Sequence, residues 1–325
     1  VLGASSFFIV YVLGSGFAKA VMPMVAAALA QGDEAQVRRD TRMGIWLSIT
    51  YGVLVLPIFL WLGPILLALG QRPEVAAIAE DYTRIAGLGM APVLIVTVLQ
   101  SYLSALHRAD VVLWVTLASV GLKIGVNWAL IFGNWGFPEL GVQGAALGTV
   151  ATQVLSLILL ALYAGLRAEL RRFHLFQRFW RPDWQALRQV FNLGMPIGLT
   201  GLAEGGLFQA SALMMGWIGT VELAAHGIAI EATALTFMLH VGLSSAATIR
   251  IARFVGQGDR QSVRQAALAG ILLSVLVALA SVAAFLIWTG PLVGLFLDME
   301  NPESAAILSY GIKLLTVAAL FQLAD

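Results

Sequence analysis

Glu204, in GLAEGGLFQ (201–209), is the only charged residue between Gln189 and Val221. On a helix, Thr200, Phe208, Ser211 and Met215 fall at i−4, i+4, i+7 and i+11 from it and share its face. A carboxylate beside an aromatic ring, a thioether and two hydroxyls suits a flat hydrophobic cation, through charge, cation–π contact and adaptable apolar surface. The alternative chemistry is a neutral glutamic acid hydrogen-bonded between helices. Gly194, Gly198, Gly201 and Gly205 form a separate stripe about 90° round the same helix, suited to close helix packing. With packing carried there, the Glu204 face is free for a ligand.

Lys123 and Asn127 are a second polar pair, one turn apart in an apolar stretch. Lys123 is too far from either end to snorkel easily, so it reads as a structural ion pair or as a charge that shares in coupling or excludes some cations. Lys19 lies about twelve residues from the Gln31-Gly32-Asp33 turn, has Ser245 at its repeat position and reads as structural. His107, His174 and His240 lack metal-ligand spacing, and the chain has no cysteine, hence no disulfide or thiolate ligand. There is no Walker motif, no HExxH and no nucleophile elbow, which argues against ATP hydrolysis and an intramembrane enzyme; no cofactor is expected beyond a coupling ion.

The elements that must position these residues follow from composition. Of 325 residues 59% are hydrophobic and 11% charged, with mean hydropathy +0.87. A soluble domain is about a quarter charged. Charge-free runs such as Met43 to Gln71 and Gln265 to Leu297 exceed the roughly 20 residues that span a hydrocarbon core as a helix, and period-two alternation is absent. The expectation is an all-α polytopic membrane protein with nine helices, at 5–30, 43–70, 75–106, 110–133, 140–166, 189–217, 221–252, 264–297 and 303–325. No cleavable signal peptide is expected in the first 30 residues.

Fourteen of the nineteen Lys and Arg residues fall on alternate connections, around Arg38 to Arg42, Arg108, Arg167 to Arg188 and Arg250 to Arg264. Those connections face the cytoplasm by the positive-inside rule. The basic residues thus set topology, and no nucleic-acid partner is implied.

An internal repeat is visible. Between 16–48 and 242–274, at a constant offset of 226, Gly16, Gln31, Gly32, Asp33, Val37, Arg38, Gly44, Leu47 and Ser48 recur as Gly242, Gln257, Gly258, Asp259, Val263, Arg264, Gly270, Leu273 and Ser274. Both Gln-Gly-Asp turns lie on the cytoplasmic side and read as helix caps, so the halves run parallel. The chain divides into an N-terminal lobe (1–168), a basic, aromatic cytoplasmic linker (169–188) and a C-terminal lobe (189–325). Completing the repeat calls for one helix before residue 1 and two after residue 325. The expected parent is a two-lobed, twelve-helix transporter of roughly 450 residues built from parallel six-helix repeats.

VNWALIFGNWGFPELGVQGAALGT (126–149), GMPIGLTGLAEGGLFQ (194–209), MGWIGTVELAAHGIAIEATALTF (215–237) and FQLAD (321–325) resemble the bacterial NorM branch of the multidrug and toxic compound extrusion (MATE) family. The resemblance covers the whole chain, as family helices two to ten. It implies export of small organic cations, drugs and dyes, in exchange for H⁺ or Na⁺ by a multi-pass protein of the bacterial inner membrane, expected to act as a monomer in the lipid bilayer.

By the same resemblance, Glu204, eight residues after Pro196, holds the position of the acid proposed for cation coupling. Asp325 matches a second acid, so the two carboxylates would share a proton or a Na⁺. Phe321 stands where the family often has tyrosine, which weakens the Na⁺ version. Glu231 replaces a more usual uncharged amide and widens the acidic surface of the cavity, while His226 takes a helix-end packing role. The substrate cavity is expected to comprise Glu231, Phe208, Met215, Thr200, Ser211, Asn127 and Lys123. The alternative is a lipid-linked oligosaccharide flippase of the same superfamily. Such a protein needs a basic cavity, whereas here Glu204, Glu231 and Asp325 outnumber Lys19 and Lys123.

Overall fold

The computed structural model describes residues 2–177, 179–297 and 304–322. All regular structure among them is helical: α1 (Leu2–Ala30), α2 (Glu34–Leu60), α3 (Leu62–Ala68), α4 (Pro73–Ala86), α5 (Met90–Ala105), α6 (Ala109–Phe132), α7 (Gly141–Leu166), α8 (Ala168–Arg171), α9 (Trp184–Ile218), α10 (Thr220–Gln257), α11 (Arg260–Ile287), α12 (Thr289–Gly294) and α13 (Ser304–Phe321). Among the described residues eight spans are long and apolar enough to cross a membrane, with α4 and α5 counted as one across the 3₁₀ turn Gly87–Gly89. The 35-residue α9, the sixth of the nine expected helices, is not among the eight. Its glycines, Glu204 and Gln209 are spread along it, so the helix with the candidate chemistry has no membrane-length stretch as apolar as those of the other eight.

The Gln-Gly-Asp turns are built alike in both copies. Gly32 (φ +75°) ends α1 in the left-handed conformation, with Asp33 N donating to Ala28 O (3.0 Å) and Gly32 N to Leu29 O (3.1 Å). Gly258 (φ +74°) ends α10 in the same way, through Asp259 N to Phe254 O and Gly258 N to Val255 O. This double bond pattern satisfies carbonyls that a helix end leaves open, and glycine adopts the required φ without a Cβ penalty. The next residue then starts the following helix. Asp33 accepts from Gln36 N (2.8 Å), and Asp259 accepts from Gln261 N and Ser262 N (both 3.1 Å). Hydrogen bonds from the side chain and backbone of Ser262, with help from Gln261 N, hold the Asp259 carboxyl below the usual carboxylate range.

The repeat extends to the helix breaks. Trp61 (φ −115°, ψ 26°) separates α2 from α3, and Trp288 (φ −114°, ψ 25°) separates α11 from α12. Where 43–70 and 264–297 read as single helices, each is a long helix followed by a short one. The Gly-Pro pairs 63–64 and 290–291 fall in the first turn of the short helix, where proline's missing N–H is not needed. The helices also begin earlier than their apolar runs. The charged turns from Glu34 to Arg42 and from Arg260 to Arg264 stay helical because the aspartate caps precede them.

By contacts the chain forms two compact units, 1–203 and 204–325, with the division inside α9. In the first, α1 packs on α2, α4 and α5, and α7 packs on α4, α5 and α6. Its apolar centre is Val55, Phe59, Met90 and Leu94, with Phe7, Val10 and Tyr11 against it. The first part of α9 crosses α1 at its glycine stripe. In the second unit, α10 packs on α11 and α13 around Ala232, Phe285, Val293, Leu315 and Ala319. Burying large apolar side chains inside each unit, with Leu, Ile and Trp on the outside, suits a lipid solvent, which gives no penalty for exposed hydrocarbon.

The linker is folded onto the first unit. Arg42 donates to the carbonyls of Gln177 (2.9 Å) and Arg181 (3.3 Å), and Trp46 Nε1 donates to Phe179 O (2.9 Å). Arg39 pairs with Asp183 (3.5 Å), Arg172 with Glu34 (3.5 Å) and Arg108 with Glu169. Leu170, Phe173 and Leu175 are buried, with Phe173 edge-on to Tyr102. At the repeat positions of Arg42 and Trp46, α11 carries Leu268 and Leu272, so the donors are present only in the copy that receives the linker.

Candidate functional site: the face of α9 around Glu204

The geometry begins with how α9 is held. A Cβ on Gly16 would lie 2.3 Å from Gly198 N and 2.4 Å from Gly194 O, so α1 and α9 meet backbone to backbone. Gly201 faces Val12, and a Cβ on Gly205 would meet nothing within 4 Å. The stripe singled out for packing therefore packs over its first three glycines and is open at the fourth. Phe17 stacks on Phe191 (5.4 Å, 17°) at the start of the same crossing.

Glu204 lies exposed where that contact ends, with no ion pair or hydrogen bond among the described residues. Phe208 is 40% exposed one turn on, and Met215 and Ser211 are half-buried. Thr200 Oγ1 donates to Pro196 O (3.0 Å) and Ser211 Oγ to Leu207 O (2.9 Å). Both hydroxyl protons are thus committed to carbonyls, and the hydroxyls can offer only lone pairs outward. A face that presents one carboxylate and acceptor oxygens beside an aromatic ring is chemically selective for cations.

The other expected residues divide. Glu231 is exposed on α10 and, like Glu204, has no hydrogen bond or ion pair among the described residues. Lys123 is exposed on α6 with no acidic partner among the described residues, so the ion-pair reading finds no partner there. Asn127 turns inward to α7: its Oδ1 is buried without a hydrogen-bond partner, 2.1 Å from where a Cβ on Gly148 would stand. His226 is half-buried on α10 with a buried, unpartnered Nε2. Asp325 lies outside the described residues. Among the described residues no three His, Asp or Glu side chains gather as a metal site.

Two features escaped the sequence reading. The fastening of the linker by Arg42 and Trp46 is one, and the repeat could have revealed it, since leucines stand at both positions in the second copy. The other is His240, which is 7% exposed and lies between α10 and α11.

Comparison with known proteins places this geometry. The MatE family profile matches residues 1–129 and 196–325. A protein of Rhizobium meliloti (strain 1021) named "Probable multidrug resistance protein NorM" is 46% identical over 325 residues, covering 100% of this chain and 70% of its own length. A protein of the same name from Agrobacterium fabrum (strain C58 / ATCC 33970) is 43% identical with the same coverage. Among solved structures, the outward-facing conformation of a multidrug resistance MATE family transporter of the MOP superfamily has the same fold, with TM-score 0.85 and 20% identity over 99% of this chain and 71% of that one.

Proposed function

Since the chain belongs to the MatE family, whose members are secondary transporters and not enzymes, we propose that this multi-pass membrane protein exports small organic cations from the bacterial cytoplasm in exchange for H⁺ or Na⁺. The observation that carries the reading is Glu204, a carboxylate with no partner among the described residues and the only charge on α9 after Arg188, flanked by Phe208 and by the acceptor oxygens of Thr200 and Ser211. An ionised acid at membrane depth costs several kcal/mol unless a counter-charge or water meets it. An organic cation meets it in one state of the transport cycle, and a proton or Na⁺ in the other. Asp325, Glu231, Met215 and Lys123 complete the cavity in this proposal, with Asn127 acting through the α6–α7 seam.

Alternating access then follows from differential affinity. Shifting a two-state equilibrium from 1:99 to 99:1 takes about 5.5 kcal/mol of difference in binding between the states. Ion binding at Glu204 and Asp325 removes the negative charge that holds the drug, so release outward and ion uptake are one exchange. The inner membrane is the site of action in this reading, with the Arg-rich connections in the cytoplasm.

The test uses the full-length protein in inside-out vesicles with an imposed pH gradient, with and without Na⁺. Ethidium should discharge the gradient in wild type and fail to do so in Glu204→Gln. Exchange supported only by Na⁺ would identify the other coupling ion, and exchange supported by neither would put the lipid-linked oligosaccharide reading in its place.

A further inference from the structure

His240 lies in the middle of α10 against α11, with two carbonyl oxygens facing its ring. Nδ1 is 3.0 Å from Thr236 O on its own helix, and Nε2 is 3.4 Å from Ser274 O on α11. A neutral imidazole has one N–H, so it can serve only one of these acceptors and must turn a lone pair toward the other. An imidazolium donates to both. The ring is thus placed as a proton acceptor that, once charged, bonds α10 to α11.

A cleft leads toward it. Between the same two helices a cavity of about 350 Å³ is lined at one end by Arg250, Ser262 and Gln265 and at the other by Leu243 and Leu273. Leu243 is three residues beyond His240, and Leu273 adjoins Ser274. The Arg250 end lies beside the Gln257-Gly258-Asp259 turn, on the Arg-rich side. The volume is ample for several waters, since one occupies about 30 Å³ of liquid.

We propose that His240 is a proton-binding site of the second unit, reached from the cytoplasmic side through the α10–α11 cleft.

No ion pair to His240 forms among the described residues of that unit, whose acids include Glu204 on α9 and Asp259 in the α10–α11 turn, fifteen residues before Ser274. On α10, Glu231 and Arg250 are nine and ten residues away, roughly 14–15 Å along the axis, and Glu222, His226 and Arg253 are farther. On α11 the charged residues are Arg260 and Arg264, ten or more residues before Ser274. On α13, Lys313 and Tyr310 are exposed and lie against each other (5.6 Å), and the buried face is Ile307, Gly311, Leu315 and Ala319. No ionisable side chain occurs on α12. An imidazolium is therefore stabilised by the two carbonyls and by water from the cleft.

The primary readout is protonation and not transport, so the site is tested apart from the antiport reading. Full-length protein carrying ¹⁵N-labelled histidine is placed in lipid nanodiscs and titrated from about pH 5 to about pH 9. His240, assigned by its loss in His240→Gln, should move from one bare ring nitrogen at high pH to two protonated ones at low pH. A ring that keeps one bare nitrogen throughout would overturn the site. Residues 1–325 contain no cysteine, so in full-length protein with any cysteine outside them replaced by alanine, Ala247→Cys gives a unique thiol on the cleft wall. It should react with a membrane-impermeant thiol reagent added from the cytoplasmic side. Failure to react would overturn the route. If His240→Gln does not fold, the signal is assigned by replacing His107, His174, His226 and any histidine outside residues 1–325 while leaving His240 in place.

Discussion

Gly16 and Gly198 touch through their backbones: a Cβ on Gly16 would stand 2.3 Å from Gly198 N. No rotamer change relieves that, because the obstacle is main chain on the partner helix. Gly16→Ala should push α1 and α9 apart and destabilise the protein by about 1–3 kcal/mol, as overpacking does. Gly205→Ala, which meets open space, should leave stability unchanged. Melting of the two variants in detergent or nanodiscs compares them directly, and equal melting temperatures would show that the crossing is not tight.

The linker should behave as a fastened strap. Arg42 is 8% exposed and donates to Gln177 O and Arg181 O. Hydrogen bonds from a charged donor contribute roughly 1.5–3 kcal/mol each to local order. Arg42→Met should free the segment while keeping the side-chain volume, and Trp46→Phe should add to the effect by removing the bond to Phe179 O. Trypsin added to inside-out vesicles should cleave after Arg171 or Arg172 faster in both variants than in wild type.

These two cases show which kinds of structure a sequence displays. The Gln-Gly-Asp turns were legible because their determinants are local: glycine supplies the left-handed φ and aspartate the cap within three residues. The glycine stripe of α9 was legible as a packing face, since periodicity reports a face, but its partner α1 was not. Asn127 fell among the cavity candidates for the same reason, and only the structure shows its oxygen set against Gly148. The breaks at Trp61 and Trp288 went unread because hydropathy continues across them, although the Gly-Pro pairs marked the new helices. Arg42 read as a topology signal, and its hydrogen bonds reach residues 135 and 139 positions away. Glu204 was found by charge alone, which needs no knowledge of the fold.

The cap of α11 gives a pH dependence with a definite sign. Asp259 lies in the turn between α10 and α11, and the bonds from Ser262 and Gln261 hold its carboxyl below the usual range. Its value in the folded protein is therefore lower than in an unfolded chain, where it is about 3.9. The cap contributes its stability above that pH and loses it as the pH falls through the folded value. Amide exchange at Gln261 and Ser262 should stay protected down to about pH 4 and accelerate only below it. Asp259→Asn keeps an acceptor but does not titrate, so it should remove the acid-induced step. A step unchanged in that variant would assign it to another group.

Asn127 and Gly148 test whether a polar residue on α6 works by contact with cargo or by helix packing. The buried Oδ1 occupies the place a Gly148 side chain would take, 2.1 Å from the Cβ position. The adjoining contact between Ser119 and Ser156 (2.6 Å) holds the same two helices. Gly148→Ala alone should therefore destabilise the seam. Asn127→Ala removes the obstructing oxygen, so the double variant should be more stable than the sum of the single losses implies, with a coupling of about 0.5–3 kcal/mol. Transport separates the roles further. If Asn127 acts through packing, Asn127→Ala lowers the melting temperature and leaves the ranking of cation substrates unchanged. A changed ranking at constant stability would instead put the amide in contact with the transported cation, and the seam would then have to open during the cycle for Oδ1 to reach it.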